Sequence, residues 1–151
     1  MSQPVPPLIF PAALFRQIET EGEAGYPNEI CGMIFGREAK DAGGATVRHV
    51  ERLVVGKNVF EADEQYHRFS IDPLAQLKAE RAAEKDGLVL LGYYHSHPDH
   101  PARPSEYDRE HAWEFYSYVI VAIAKAKAVD MTSWVLDGGS KQFAQQEIRR
   151  A

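Results

Sequence analysis

Residues 92–111, GYYHSHPDHPARPSEYDREH, hold four of the chain's six histidines and three prolines. Two of those histidines, His95 and His97, stand one residue apart directly after the apolar run LVLLGYY. Side chains at i and i+2 of a strand share a face, so Val89, Leu91, Tyr93, His95 and His97 are expected in one row that starts in a core and ends in two imidazoles. Neutral imidazoles are metal ligands, but an HxH pair alone is more simply a structural or surface feature, and more donors are required. Asp108 supplies one. It lies three residues past Ser105, in the first turn of a predicted helix, where backbone N–H groups hold a carboxylate; Ser-x-x-Asp is also a common capping pattern with no chemistry in it. Pro98, Pro101 and Pro104 stiffen the loop between and could return Asp108 to the histidines. Two imidazoles, a carboxylate and an open fourth position would make a catalytic zinc site, whose water needs a base. Glu29, at the mouth of EICGMIFG, is the candidate base, although an exposed Glu at a strand start is the plainer account.

The elements that must position these residues follow from pattern and punctuation. Four prolines in residues 1–11 predict an extended lead-in, and AALFRQIETEGEAG places Ala13, Leu14 and Ile18 on one helical face, ending near Gly25. EICGMIFGR reads as a buried strand, AKDAGGA as a hairpin-like loop, and ATVRHVERLVVG as a second strand. A polar loop, NVFEADEQYH, leads to a short RFSI strand. Asp72 as N-cap and Pro73 at the first helical position predict a helix over PLAQLKAERAAEKDG, closed by Gly87. LVLLGYY, apolar on both faces, reads as a central strand covered by helices on two sides. A helix over EYDREHAWEF starts from Ser105, strands cover YSYVIVAIA and MTSWVLD, and QFAQQEIRR is left unassigned. The order α-β-β-β-α-β-α-β-β is that of an α/β chain: one domain over residues 1–151, with a mixed sheet and flanking helices.

Composition narrows the function classes. The net charge is −5 and no Lys or Arg run builds a phosphate-binding stripe, so nucleic acid is not an expected partner. One cysteine, Cys31, excludes an intrachain disulfide and a multi-thiolate metal site, and fits a reducing, cytoplasmic setting. No apolar run approaches the roughly 18 residues of a membrane span, and the N-terminus lacks a signal-peptide pattern.

Glu29, then His95-Ser96-His97-Pro98, then Ser105 and Asp108, resembles the JAMM (MPN+) metalloprotease motif E…H-[ST]-H-P-x6-S-x-x-D. PNEICGMIFG is similar to the segment that brings that family's catalytic Glu, and NVFEADEQYHRFSIDP to the middle of compact prokaryotic members; the likeness covers most of residues 8–137. The resemblance implies a curved mixed sheet with a cytidine-deaminase-like architecture. It implies one Zn2+ held by His95, His97 and Asp108, with Glu29 as general base and then acid and Ser105 as hydrogen-bond donor to the oxyanion. It further implies hydrolysis of an amide or isopeptide bond after the C-terminal tail of a ubiquitin-like or sulfur-carrier protein, the tail adding as a strand along an exposed edge. A non-catalytic or partner-dependent module of the same type, binding a ubiquitin-like protein, is the reading from another class. The motif positions are intact, and there is no obvious room for the long insertions of eukaryotic relatives.

Other residues carry less. Cys31 reads as a small buried hydrophobe, Ser96 as a structural residue facing away from its neighbours, and EADE at 61–64 as a solvated loop. His111, one helical turn past Asp108, reads as a solvated helix position or a donor to that carboxylate. A zinc deaminase would need H-x-E and P-C-x-x-C at its site, where this chain has HSH and a single cysteine, whereas Fe(II) is compatible with two His and one carboxylate.

Overall fold

A computed structural model describes residues 4–58 and 70–151. The strands are β1 (Leu8–Phe10), β2 (Cys31–Lys40), β3 (Thr46–Gly56), β4 (Val89–Pro98), β5 (Ser117–Ala124), β6 (Lys127–Leu136), β7 (Phe143–Gln146) and β8 (Ile148–Arg150). The helices are α1 (Ala12–Gly25), α2 (Pro73–Lys85) and α3 (Glu106–Glu110). The strands form one sheet in the order β7-β6-β5-β4-β2-β3-β1-β8, parallel at β4–β5, β1–β3 and β1–β8 and antiparallel elsewhere. The fold is therefore the expected α/β type with a mixed sheet.

Strands β7 and β8 stand at opposite ends of that order, yet only Glu147 separates them in the chain. The sheet must curl until its ends meet. Leu8 N–H donates to the Glu147 carbonyl at 2.9 Å at the start of the β1–β8 ladder, and Gln146 Nε2 of β7 donates to the Pro6 carbonyl at 2.7 Å. Near-closure covers backbone edges that would otherwise invite pairing with other chains.

Helix α1 fills the concave side. Phe15 and Ile18 pack there against Leu8, Phe10, Leu91 and Val119, and burying each stabilises the fold by about 1.5–3 kcal/mol. On the convex side, Ala83 of α2 meets Met33, Phe35 and Leu90. Strand β4 is thus covered on both faces, as its unbroken apolar run predicts. It is also bonded on both edges, to β2 and β5, so a substrate strand cannot add to β4 itself.

Several expectations need correction. The single row Val89–Leu91–Tyr93–His95–His97 is broken by a β-bulge: Gly92 pairs with Ile34 but Leu90 with Phe35, leaving Leu91 as the extra residue. Leu91 and Tyr94 consequently face the α1 side, while Leu90 and Tyr93 face α2. The strand expected over 29–37 runs from Cys31 to Lys40, and the strand expected over 131–137 begins at Lys127, because cross-strand pairing continues into polar residues. The helix expected over 106–115 stops at Glu110: the Trp113 N–H goes to the Tyr118 hydroxyl, and Phe115 adopts φ 80°. Asp72 occupies the N-cap position of α2 without a side-chain capping bond. The proline-rich lead-in contains β1, and the unassigned C-terminus forms β7 and β8. Residues 59–67 of the expected loop, EADE among them, and Arg68 and Phe69 of RFSI lie outside the described residues; Ile71 makes an isolated bridge with Asn58.

Candidate metal centre

His95 and His97 are held at the end of β4 by ladders on both sides: His95 pairs with Cys31 and Ile120, and His97 with Ala122. Both are buried, at 1% and 8% exposure. The loop that follows is anchored rather than free. Asp99 accepts from the Tyr26 hydroxyl and the Lys125 N–H, and the Ala102 carbonyl accepts from Thr132 Oγ1 at 2.6 Å. It delivers Ser105 as the N-cap of α3 with a full capping box. Ser105 Oγ accepts the Asp108 N–H at 3.0 Å, and Asp108 Oδ2 accepts the Ser105 N–H at 2.9 Å.

The same Oδ2 faces the histidines, 3.3 Å from His95 Nε2 and 3.2 Å from His97 Nε2, which are themselves 3.1 Å apart. Capping and donor placement, alternatives in the sequence, are thus one arrangement. Three ligands of a tetrahedral ion bound at about 2.0–2.1 Å stand about 3.3–3.4 Å from one another. The observed triangle has that size, and its N, N, O donor set suits a first-row transition metal better than Ca2+ or Mg2+. The ring of His97 is already oriented for ligation. Its Nδ1 lies 2.9 Å from the Pro101 carbonyl, which can only accept, so Nδ1 carries the proton and Nε2 presents its lone pair. These residues therefore fit a divalent ion.

Glu29 is buried at 7% exposure and its pKa rises to about 7. Burial is the main cause; the two imidazoles pull the value down and Asp108 pushes it up, which places the carboxyl within electrostatic reach of all three donors. Asp108 moves the other way. Burial opposes its ionisation, but the charge of His95 and hydrogen bonds from His95, His97 and the Ser105 N–H hold its pKa well below the carboxylate range. Burial lowers the pKa of His97, and its bonds to Asp108 and Pro101 outweigh that and raise it.

A cavity of about 290 Å³ opens beside the donors; His95, Asp108, Tyr93, Tyr107, Trp113 and Gln76 are among its walls. Its aromatic wall escaped the sequence reading, although Tyr107, Trp113 and Tyr118 fall within a dozen residues. The structure brings Glu29, His95, His97 and Asp108 into mutual electrostatic contact, with Ser105 bonded to Asp108. It leaves out Cys31, which is buried and a free thiol; the donor cluster comprises His95, His97 and Asp108. His111 Nδ1 bonds the Tyr107 carbonyl, not Asp108, and its ring stacks on Tyr107. His49 and His100 are exposed, and His67 lies outside the described residues.

The family model described as prokaryotic homologs of the JAB domain matches residues 11–137. The chain belongs to this family. A relative from Thermus thermophilus, named "Probable TtuB-protein conjugate cleaving protease", is 36% identical over 113 residues, covering 75% of this chain and 68% of the relative. A desampylase from Haloferax volcanii is 36% identical over 102 residues, covering 66% of this chain and 67% of its own. Among solved structures, a protein from Desulfitobacterium hafniense matches with a TM-score of 0.78 at 30% identity, covering 95% of this chain and 92% of that one. A JAB1/MPN domain protein from Archaeoglobus fulgidus, with a TM-score of 0.53 at 15% identity over 95% of this chain and 98% of that one, shares the fold. The JAB-family fold thus accounts for the curled mixed sheet. No helix among the described residues is long and apolar enough to cross a membrane.

Proposed function

We propose that residues 1–151 act as a single-domain, cytoplasmic, zinc-dependent isopeptidase that hydrolyses the amide bond after the C-terminal tail of a ubiquitin-like or sulfur-carrier protein. The observation that carries the reading is the convergence of His95 Nε2, His97 Nε2 and Asp108 Oδ2 beside a buried Glu29. The names of the two relatives, a conjugate-cleaving protease and a desampylase, support the substrate class. His95, His97 and Asp108 would hold Zn2+, which when bound acidifies water and polarises a carbonyl. Glu29, with a pKa near neutrality, takes the proton from the attacking water and returns it to the leaving amine. Ser105 Oγ already accepts the Asp108 N–H, so its O–H remains to donate to the developing oxyanion. The aromatic cavity beside the donors shelters the substrate backbone from water.

Elemental analysis of the purified chain tests the centre: about one zinc per wild-type chain and little in His97→Ala is expected. No zinc in either, even after reconstitution, refutes the hydrolase reading and leaves a module that binds ubiquitin-like proteins. Glu29→Gln is expected to retain zinc and lose turnover.

A further inference from the structure

The geometry points to Ser96 and Asn58 as positioning residues for Glu29, gripping the one peptide unit that joins it to Ile30. This rests on Glu29 serving as the base. In an antiparallel ladder the pair after Cys31–His95 is Ile30–Ser96, and the Ser96 N–H donates to the Ile30 carbonyl at 3.1 Å as expected. The Ile30 N–H instead donates to the Ser96 hydroxyl at 2.9 Å. The carbonyl of the same peptide unit, that of Glu29, accepts from Asn58 Nδ2 at 3.3 Å.

A peptide unit is planar and includes the Cα atoms on both sides, so holding its N–H from β4 and its C=O from Asn58, two residues past β3, fixes the Cα of Glu29. Ser96 is fully buried and sits between the two donor histidines, its side chain turned away from theirs. One strand therefore carries the donors on one face and the clamp for the base on the other, and the base-to-centre spacing is set within a single residue step. A shift of about 1 Å in such a spacing costs on the order of a hundredfold in rate.

Asn58 also reaches beyond the base. Its Oδ1 accepts the Ser70 N–H at 3.2 Å, and it bridges Ile71; both residues line the cavity beside the donors. Asn58 thereby ties one wall of the substrate cavity to the backbone of the base, whereas the Ser96 hydroxyl bonds the Ile30 N–H. The two side chains have separable kinetic signatures.

The test uses the zinc-loaded full chain and a ubiquitin-like protein joined through its terminal Gly-Gly to a fluorescent lysine peptide. Ser96→Ala is expected to keep its zinc and its KM within about twofold while kcat falls about 10–100-fold. Ser96→Thr, which retains the hydroxyl, is expected to recover most of kcat, and Asn58→Ala to change both kcat and KM. Amide hydrogen exchange on the metal-free protein reads the clamp independently of turnover: the Ile30 amide is expected to exchange faster in Ser96→Ala and to be protected again in Ser96→Thr. Wild-type kcat in a Ser96→Ala chain whose Ile30 amide has lost protection would overturn the inference. An equal loss in the Thr and Ala variants would also overturn it. A wild-type chain that binds zinc and cleaves nothing refutes the hydrolase reading first and takes this inference with it.

Discussion

Glu29 is expected to oppose folding when it is ionised, and the size of the effect follows from its burial. The folded chain raises its pKa from 4.5 to about 7. A folded-state pKa above the unfolded one gives a contribution that is complete below about pH 4.5 and lost as the pH climbs through about 7. At about 1.36 kcal/mol per pH unit, that interval amounts to about 3 kcal/mol. Glutamine mimics the protonated form at every pH. Metal-free Glu29→Gln should therefore match the wild type to within a constant offset near pH 4.5 and gain about 3 kcal/mol on it by pH 8. Urea unfolding in the presence of a chelator, at both pH values and with linear extrapolation, measures this directly. Subtracting the wild type at each pH removes the titrations remote from Glu29 and leaves that of Glu29 together with its coupling to His97 and Asp108. A difference that stays constant between pH 4.5 and 8 would refute the burial argument. Stabilisation by a substitution that is also expected to abolish turnover is what a residue retained for function should show.

Loss of the α3 cap should reach the metal: Ser105→Ala is expected to cost about 1 kcal/mol in a thermal melt and to weaken zinc about tenfold or more in competitive titration, since the cap and the donor share Asp108. Unchanged zinc affinity would separate the cap from the centre. Burial, and secondarily the charges of Glu29 and Glu21, pushes the Cys31 thiol up to about 12, so it should stay silent to a thiol reagent at pH 8 until denaturant is added. Because that thiol stays protonated in the fold, its contribution to stability should fall by about 1.4 kcal/mol per pH unit above pH 9, and Cys31→Ala should remove that slope in alkaline urea melts. Gly32→Ala would drive a Cβ into the ring of Tyr94, which is fully buried and cannot retreat; a loss of about 1–3 kcal/mol in urea unfolding is expected, and none would mean that β2 shifts freely.

The donors were legible because metal chemistry restricts residue types: two imidazoles at i and i+2 on a strand end and a carboxylate at the third position of a capping box form a pattern that few other uses require. Helices α1 and α2 were legible from apolar spacing and from Pro73, and α3 only at its start, since Ser105 announces a cap while nothing local announces that Trp113 will donate to Tyr118. The short strands β1, β7 and β8 carry little periodicity of their own; β1 and β8 exist as partners for each other across more than a hundred positions, and β7 adds to β6 while Gln146 reaches back to Pro6. The bulge at Leu91 is of the same kind, a register conflict between β2 and β4 that neither strand shows alone. The sequence by itself determined which atoms could bind a metal and which carboxylate could serve them. Tertiary structure decided what spacing alone leaves open: that one oxygen of Asp108 both caps α3 and faces the histidines, and that Glu29 is buried enough to titrate near neutrality. It also decided that Ser96 and Asn58 bond the peptide unit between Glu29 and Ile30, because hydrogen bonds and desolvation depend on distances between segments that the chain order does not contain.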